Sequence, residues 1–156
     1  MGSYALDQVT VVFDDVDRGP SLGTKLELNG KEYRFVKMSD TDSSTVSNVP
    51  VVYISTDPSA NNWEVSPDVS DAPGGGMEFF AGMLLAAVDT GQYCYVLKEG
   101  PCTITLSGTV TAAGDAIIVS EDGGFGPAGA TDYPNGIALE DSGSDNDTIY
   151  AWIKAI

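Results

Sequence analysis

The chain has 156 residues, no histidine, two cysteines, and 23 acids against seven bases, for a formal charge of −16. That length suits one domain, or a compact domain with an arm, able to bury about two thirds of its unfolded surface. The missing imidazole removes Ser-His-Asp and Cys-His pairs, histidine general bases and ordinary His-bearing zinc sites, and the negative charge argues against nucleic-acid and membrane partners.

The first ten residues have neither the basic start nor the apolar centre of a signal peptide. The longest apolar run, Met83–Val88, is too short to span a bilayer, so a soluble protein made inside the cell is expected. Charge is uneven along the chain: residues 1–38 carry six acids against Arg18, Lys25, Lys31, Arg34 and Lys37, and the remainder carries 17 acids against Lys98 and Lys154. The charge serves either as a solubility coat or to meet a basic partner.

Threonine, valine, isoleucine and tyrosine recur between Gly, Pro, Asn and Asp clusters, so strands dominate the expectation. Val9–Phe13 alternates as a first strand, and Gly19-Pro20 breaks it. Asn29-Gly30 then marks a two-residue hairpin turn, because both positions must tolerate positive φ. Such a turn pairs Leu28 with Lys31, Leu26 with Tyr33 and Thr24 with Phe35. Leu26, Leu28, Tyr33 and Phe35 then share one face, and Lys25, Glu27, Glu32 and Arg34 share the other.

Residues 39–48 are almost all Ser, Thr and Asp and read as a loop. Val49–Ser55 reads as a strand, and the Pro- and Gly-rich 56–78 as an extended crossing segment. The body should be a meander of Met83–Val88, Tyr93–Lys98, Cys102–Val110, Ala116–Ser120, Gly136–Leu139 and Thr148–Ile156, with 123–129 and 141–147 as loops. The division expected is therefore 1–55 as arm, hairpin and strand, 56–78 as crossing segment, and 79–156 as a β-meander body. The fold class is mainly β, a small antiparallel barrel or sandwich. The terminal strands Val9–Phe13 and Thr148–Ile156 are the candidate open edges.

Cys94 and Cys102 admit two arrangements. A Glu99-Gly100 turn sets Leu97 opposite Cys102 and leaves both thiols free. A three-residue turn sets the cysteines opposite each other but places Pro101 inside a ladder, where its missing N–H is a liability. Residues 141–147 resemble a calcium loop only superficially, since Gly143 stands at the third ligand position and no glutamate closes the loop. The glycines of 123–129 lack the lysine and helix of a phosphate loop. Paired carboxylates such as Glu140 and Asp141 have no nucleophile or orienting partner in view. No catalytic residue, cofactor or metal site is expected. Trp63, Trp152, Phe79 and Phe80 are either core or interface anchors.

Three stretches carry a resemblance. Leu22-Gly23-Thr24 with Asn29–Val36 is similar to the opening hairpin of small tailed-phage head proteins of the capsid cement or decoration type. Ala81–Val88 with Gly91–Pro101 resembles their core strand pair. Gly108–Asp115 running into Ala116–Val119, followed by Gly136–Glu140, resembles their later strands, and the order is the family's. The resemblance implies a non-enzymatic virion protein on the capsid exterior, present in many copies, that binds the major capsid protein lattice and stabilises or decorates it. Self-association into a trimer or another small cyclic oligomer fits such a lattice.

The near-neutral arm holds five of the seven bases and would lie on the shell, with the acidic body outward. The partner-binding residues expected are Arg18, Leu22, Lys25, Lys31, Tyr33, Arg34, Phe35, Trp63 and Trp152. The rival reading is a tail- or fibre-associated carbohydrate-binding β module, with Trp63 or Tyr133 in an open groove.

Overall fold

In the computed structural model, residues 9–15, 17, 19–75, 77–107, 112–121, 123–143 and 147–156 are described. The strands are β1 (Val12–Phe13), β2 (Lys25–Leu28), β3 (Lys31–Met38), β4 (Pro50–Tyr53), β5 (Glu64–Ser66) and β6 (Phe80–Leu84). They continue with β7 (Tyr93–Thr105), β8 (Ala116–Glu121), β9 (Gly124–Pro127), β10 (Gly136–Ala138) and β11 (Thr148–Lys154). Single 3-10 turns at Val69–Asp71, Pro73–Gly75 and Met77–Phe79 occupy much of the expected crossing segment.

All strands join one mixed sheet in the order β2-β3-β5-β4-β6-β7-β11-β10-β8-β9, with β1 on β7. The mainly β expectation holds. Because β3 also pairs with β7, strands β3, β5, β4, β6 and β7 close into a ring, all antiparallel except β3 with β5. Its interior is filled by Val36, Met38, Val51, Tyr53, Val65, Ala81, Leu84, Val88, Cys94 and Val96. A second set, β7-β11-β10-β8-β9, extends from the far half of β7. It curls back where Leu106 bridges Phe125 and the Ser107 N–H donates to the Phe125 carbonyl at 2.8 Å. The second core lies between these lobes and includes Tyr33, Phe35, Phe80, Leu97, Ile104, Ile117, Phe125 and Ile153.

The hairpin has the register its turn dictates: Asn29 and Gly30 take φ of 52° and 77°, Leu28 faces Lys31 and Leu26 faces Tyr33. Several expectations are corrected. The described residues of the expected arm do not stand apart, since β3 is flanked by β2 and then β5 along one edge and by β7 along the other. β11 is no edge, lying between β7 and β10, and only Val12 and Phe13 of the first segment pair.

No turn forms at Glu99-Gly100. Tyr93–Thr105 is one strand that passes from the ring to the second lobe, with Gly100 at φ 141° where it crosses. Ala155 donates to the Lys98 carbonyl at 2.8 Å, so even-numbered positions of β7 direct their backbone groups toward β11. Pro101 therefore points its missing N–H away from that ladder and removes no bond from it. Cys94 and Cys102 consequently sit on one strand, both free, and burial pushes each thiol up to about 12.

Gly124–Pro127, expected as loop, is the strand β9. Its glycines allow close approach to Ser107 and Ser120, and Phe125 packs edge-on against Phe80 at 5.9 Å. The expected Cys102–Val110 strand stops at Thr105, and residues 108–111 lie outside the described set, as do 144–146 of the acidic loop.

Candidate docking surface

β11 alternates strictly: Ile149, Ala151 and Ile153 are buried, whereas Thr148, Tyr150, Trp152 and Lys154 are exposed. A strand with one buried face ordinarily carries polar residues on the other. Here that face carries Tyr150 and Trp152, 44% and 40% exposed, beside Ile137 of β10 and Leu139 just after it, 50% and 47% exposed. The register brings them together. Ile137 stands opposite Trp152, and Trp152 opposite Pro101, and the Leu139 N–H donates to the Tyr150 carbonyl at 2.9 Å. Directly opposed residues place their Cβ atoms about 5 Å apart, so the four side chains form one apolar band.

Asn135 fixes the band from beneath. Its N–H donates to the Ile117 carbonyl, its carbonyl accepts from Lys154, both at 2.8 Å, and its side-chain oxygen accepts from Val119 at 2.9 Å. That buried asparagine ties β8 to β11 at the start of β10.

A recess of about 390 Å³ adjoins Trp152 and is walled by the hairpin turn, residues 27–32, and by Glu99. Glu27 stands opposite Glu32, Glu32 opposite Glu99, and Glu99 opposite Lys154. Lys98 lies 3.0 Å from Glu32, and its ammonium holds that carboxyl below the usual range against the opposing effect of burial. Among the described residues, neither Glu27 nor Glu99 has an ion-pair partner. At the other end of the band Glu140 accepts from the Tyr150 N–H at 2.6 Å and Asp141 accepts from Ala113 at 2.7 Å.

The sequence-predicted partner residues scatter. Trp152 and Lys31 border the recess, and Lys25 is exposed on the outer hairpin strand. Leu22 is half-buried against the core, and Arg18 lies outside the described residues. Tyr33 and Phe35 are buried, Phe35 with its ring 5.2 Å from Tyr95 and 5.7 Å from Phe13. They hold the lobes together and have no surface to offer a partner.

Arg34 is buried as well, because the face of β3 opposite Phe35 becomes the interior of the ring. Its guanidinium lies 4.5 Å over the Trp63 ring and donates to the Tyr53 hydroxyl at 3.3 Å. Its Nε finds no hydrogen-bond partner among the described residues. Trp63, at φ 54°, packs edge-on against Tyr53 at 6.0 Å and closes over Gly23, where a Cβ would collide with the indole. It is a plug for the ring rather than an open anchor. Lys37 is taken up by Asp40 at 3.0 Å and Glu64 at 4.0 Å. Among the described residues, Lys25, Lys31, Arg34 and Lys37 therefore do not assemble into a cationic docking arm.

Sequence reasoning singled out Trp152 but missed Ile137, Leu139 and Tyr150. The signal was present in 148–154, where an alternating strand carries Tyr150 and Trp152 on one face and Ile149, Ala151 and Ile153 on the other, so that both faces are apolar.

No protein-family model matches the chain, and no curated protein matches it. Among solved structures it is similar to the N base of the head fiber gp8.5 of bacteriophage phi29, at 15% identity and a TM-score of 0.47, over 78% of this chain and 92% of that one. That likeness is too loose to carry a conclusion about this chain.

Proposed function

We propose that the chain is a structural protein of the tailed-phage head, bound to the outside of the shell through the major capsid protein as a cement or decoration. The observation that carries this reading is spatial. The segments that resemble the head-protein family, Leu22–Thr24 with Asn29–Val36, Ala81–Val88 with Gly91–Pro101, Gly108–Val119 and Gly136–Glu140, are spread along the sequence. Their described parts fold into adjoining strands, with β3 and β6 both on β7 and β8 on β10, the two groups joined through β11. A scatter of unrelated hairpin patterns has no reason to fall on neighbouring strands.

The chemistry is that of adhesion. The sequence holds no histidine, and four of its exposed large apolar side chains, Ile137, Leu139, Tyr150 and Trp152, share one sheet face, which offers contact area. Many weak contacts repeated over a lattice raise the local concentration of each neighbouring contact, so a small protein with one modest face is enough. The reading as a carbohydrate module loses Trp63, which is committed to Arg34 and Tyr53, and keeps Tyr133, which is 75% exposed.

Particles purified from a phage that encodes the chain test the proposal. Quantitative mass spectrometry should find the polypeptide in many copies per major capsid protein hexamer set; its absence from intact particles would overturn the reading.

A further inference from the structure

We propose that the apolar band of β10 and β11 and the recess beside Trp152 form one docking surface, whose occupant is an extended partner segment with arginine at both ends and apolar residues between. The shell as the source of that segment rests on the function proposed above; the chemistry of the segment rests on the face alone.

The first support is that the band is not needed for folding. The inward side of β11 is complete with Ile149, Ala151 and Ile153, so burying Tyr150 and Trp152 elsewhere would flip the strand and empty the core. Single exposed apolar residues are ordinary, but four in register form a contiguous patch of the kind that marks an interaction site.

The second support is charge at both ends of the band. Leu139 runs directly into Glu140 and Asp141, and Asp147 precedes β11. At the far end Glu27 and Glu99 flank Trp152, with Lys31 and Lys154 as the nearby bases. Glu27 and Glu32, and Glu32 and Glu99, are like charges directly opposed across strands, an arrangement that disfavours the free protein and that an incoming cation relieves. Lys98 neutralises Glu32 alone. A guanidinium can stack on the exposed Trp152 indole and hydrogen-bond a carboxylate at the same time, which an ammonium does less well.

Length completes the match. From Thr148 to Lys154 the strand spans about 20 Å, so an extended segment of six or seven residues sets its end groups at the two acidic rims. A second copy of this chain fits poorly, since two molecules of charge −16 would bring acidic rim against acidic rim.

The test uses the full chain and a synthetic acetylated heptapeptide, Arg-Thr-Val-Tyr-Val-Thr-Arg, with its Glu-ended counterpart as control, followed by amide and indole NMR shifts. The Arg-ended peptide should shift the Trp152 indole N–H and the amides of 137–139 and 150–154. Affinity should fall about tenfold in Trp152→Ala, fall several-fold in the double variant Glu27→Gln, Glu99→Gln, and weaken with salt. Equal shifts with the Glu-ended peptide, no binding, or binding that survives Trp152→Ala would each overturn the proposal. A protein that binds the peptide but no phage heads keeps the face and loses the shell as its partner. If heads bind the wild type and Trp152→Ala equally, the face is not the shell contact.

Discussion

The ring and the second lobe are built from the same kinds of residue but use them differently. In the ring, β4 and β6 are buried along their whole length and β3 over most of its own, so both faces of these strands are committed to packing. In the second lobe β11 buries every other residue and holds its largest side chains out. The contrast teaches that aromatic content alone does not locate a docking surface: Phe35, Tyr53 and Trp63 serve closure, whereas Tyr150 and Trp152 stand on the outward face.

That division can be broken most severely at Phe35. Phe35→Ala removes a fully buried ring in contact with Phe13, Tyr93 and Tyr95 and should cost about 3–5 kcal/mol in denaturant unfolding. Arg34 sharpens the comparison by separating shape from charge. Arg34→Ala strips the cover from Trp63 and should cost about 2–3 kcal/mol. Arg34→Met keeps the bulk and removes a buried cation, and it should stay within about 1 kcal/mol of wild type. Equal losses for the two variants would show that the charge, rather than the packing, holds the plug.

Smaller effects come from titration. Both thiols have folded pKa values raised by burial, from 9.0 to about 12. Above pH 9 the unfolded chain releases these protons first and binds fewer than the folded chain, so stability falls as pH rises from about 9 toward 12. Thermal melts should show that alkaline decline, and the Cys94→Ala, Cys102→Ala double variant should flatten it between pH 9 and 10. Trp152→Ala, on the outward face, should change stability by no more than about 0.5 kcal/mol in the same denaturant assay.

The smallest expected effect is at Asp71. The Ser66 hydroxyl lowers its pKa, but burial and the charges of Asp42 and Asp68 outweigh that and leave it raised. A raised carboxyl destabilises the fold at neutral pH and is relieved as pH falls through its folded value. Asp71→Asn should therefore raise the melting temperature slightly at pH 7, with the gain disappearing in acid.

What could be read in the sequence was local. The Asn29-Gly30 turn fixed the hairpin register because its conformational demand is met within two residues. The run 148–156 was legible as a strand, though not which of its faces is buried. What could not be read was closure. The outer face of β3 looked solvated, yet β4 and β5 arrive from 50–66 to enclose it, which turned Arg34 from a surface base into a buried one.

β5, three residues long and parallel to β3, has no pattern of its own. Gly100-Pro101 has the composition of a turn, but β7 uses it to pass between lobes, and no spacing rule distinguishes the two. β9 was hidden because its glycines are selected for close backbone approach, a property of the neighbours rather than of the segment. At the candidate surface, Trp152 was legible as a large aromatic, but its neighbours became a site only when β10 paired beside β11.

Heads assembled without this polypeptide, mixed with the purified wild type, Trp152→Ala, and a Lys25→Glu, Lys31→Glu hairpin variant, put the two regions in direct competition. Saturable binding by the wild type and the hairpin variant, with Trp152→Ala reduced about tenfold, is the expected result. Binding lost in the hairpin variant and kept in Trp152→Ala, or no binding to heads at all, would contradict it.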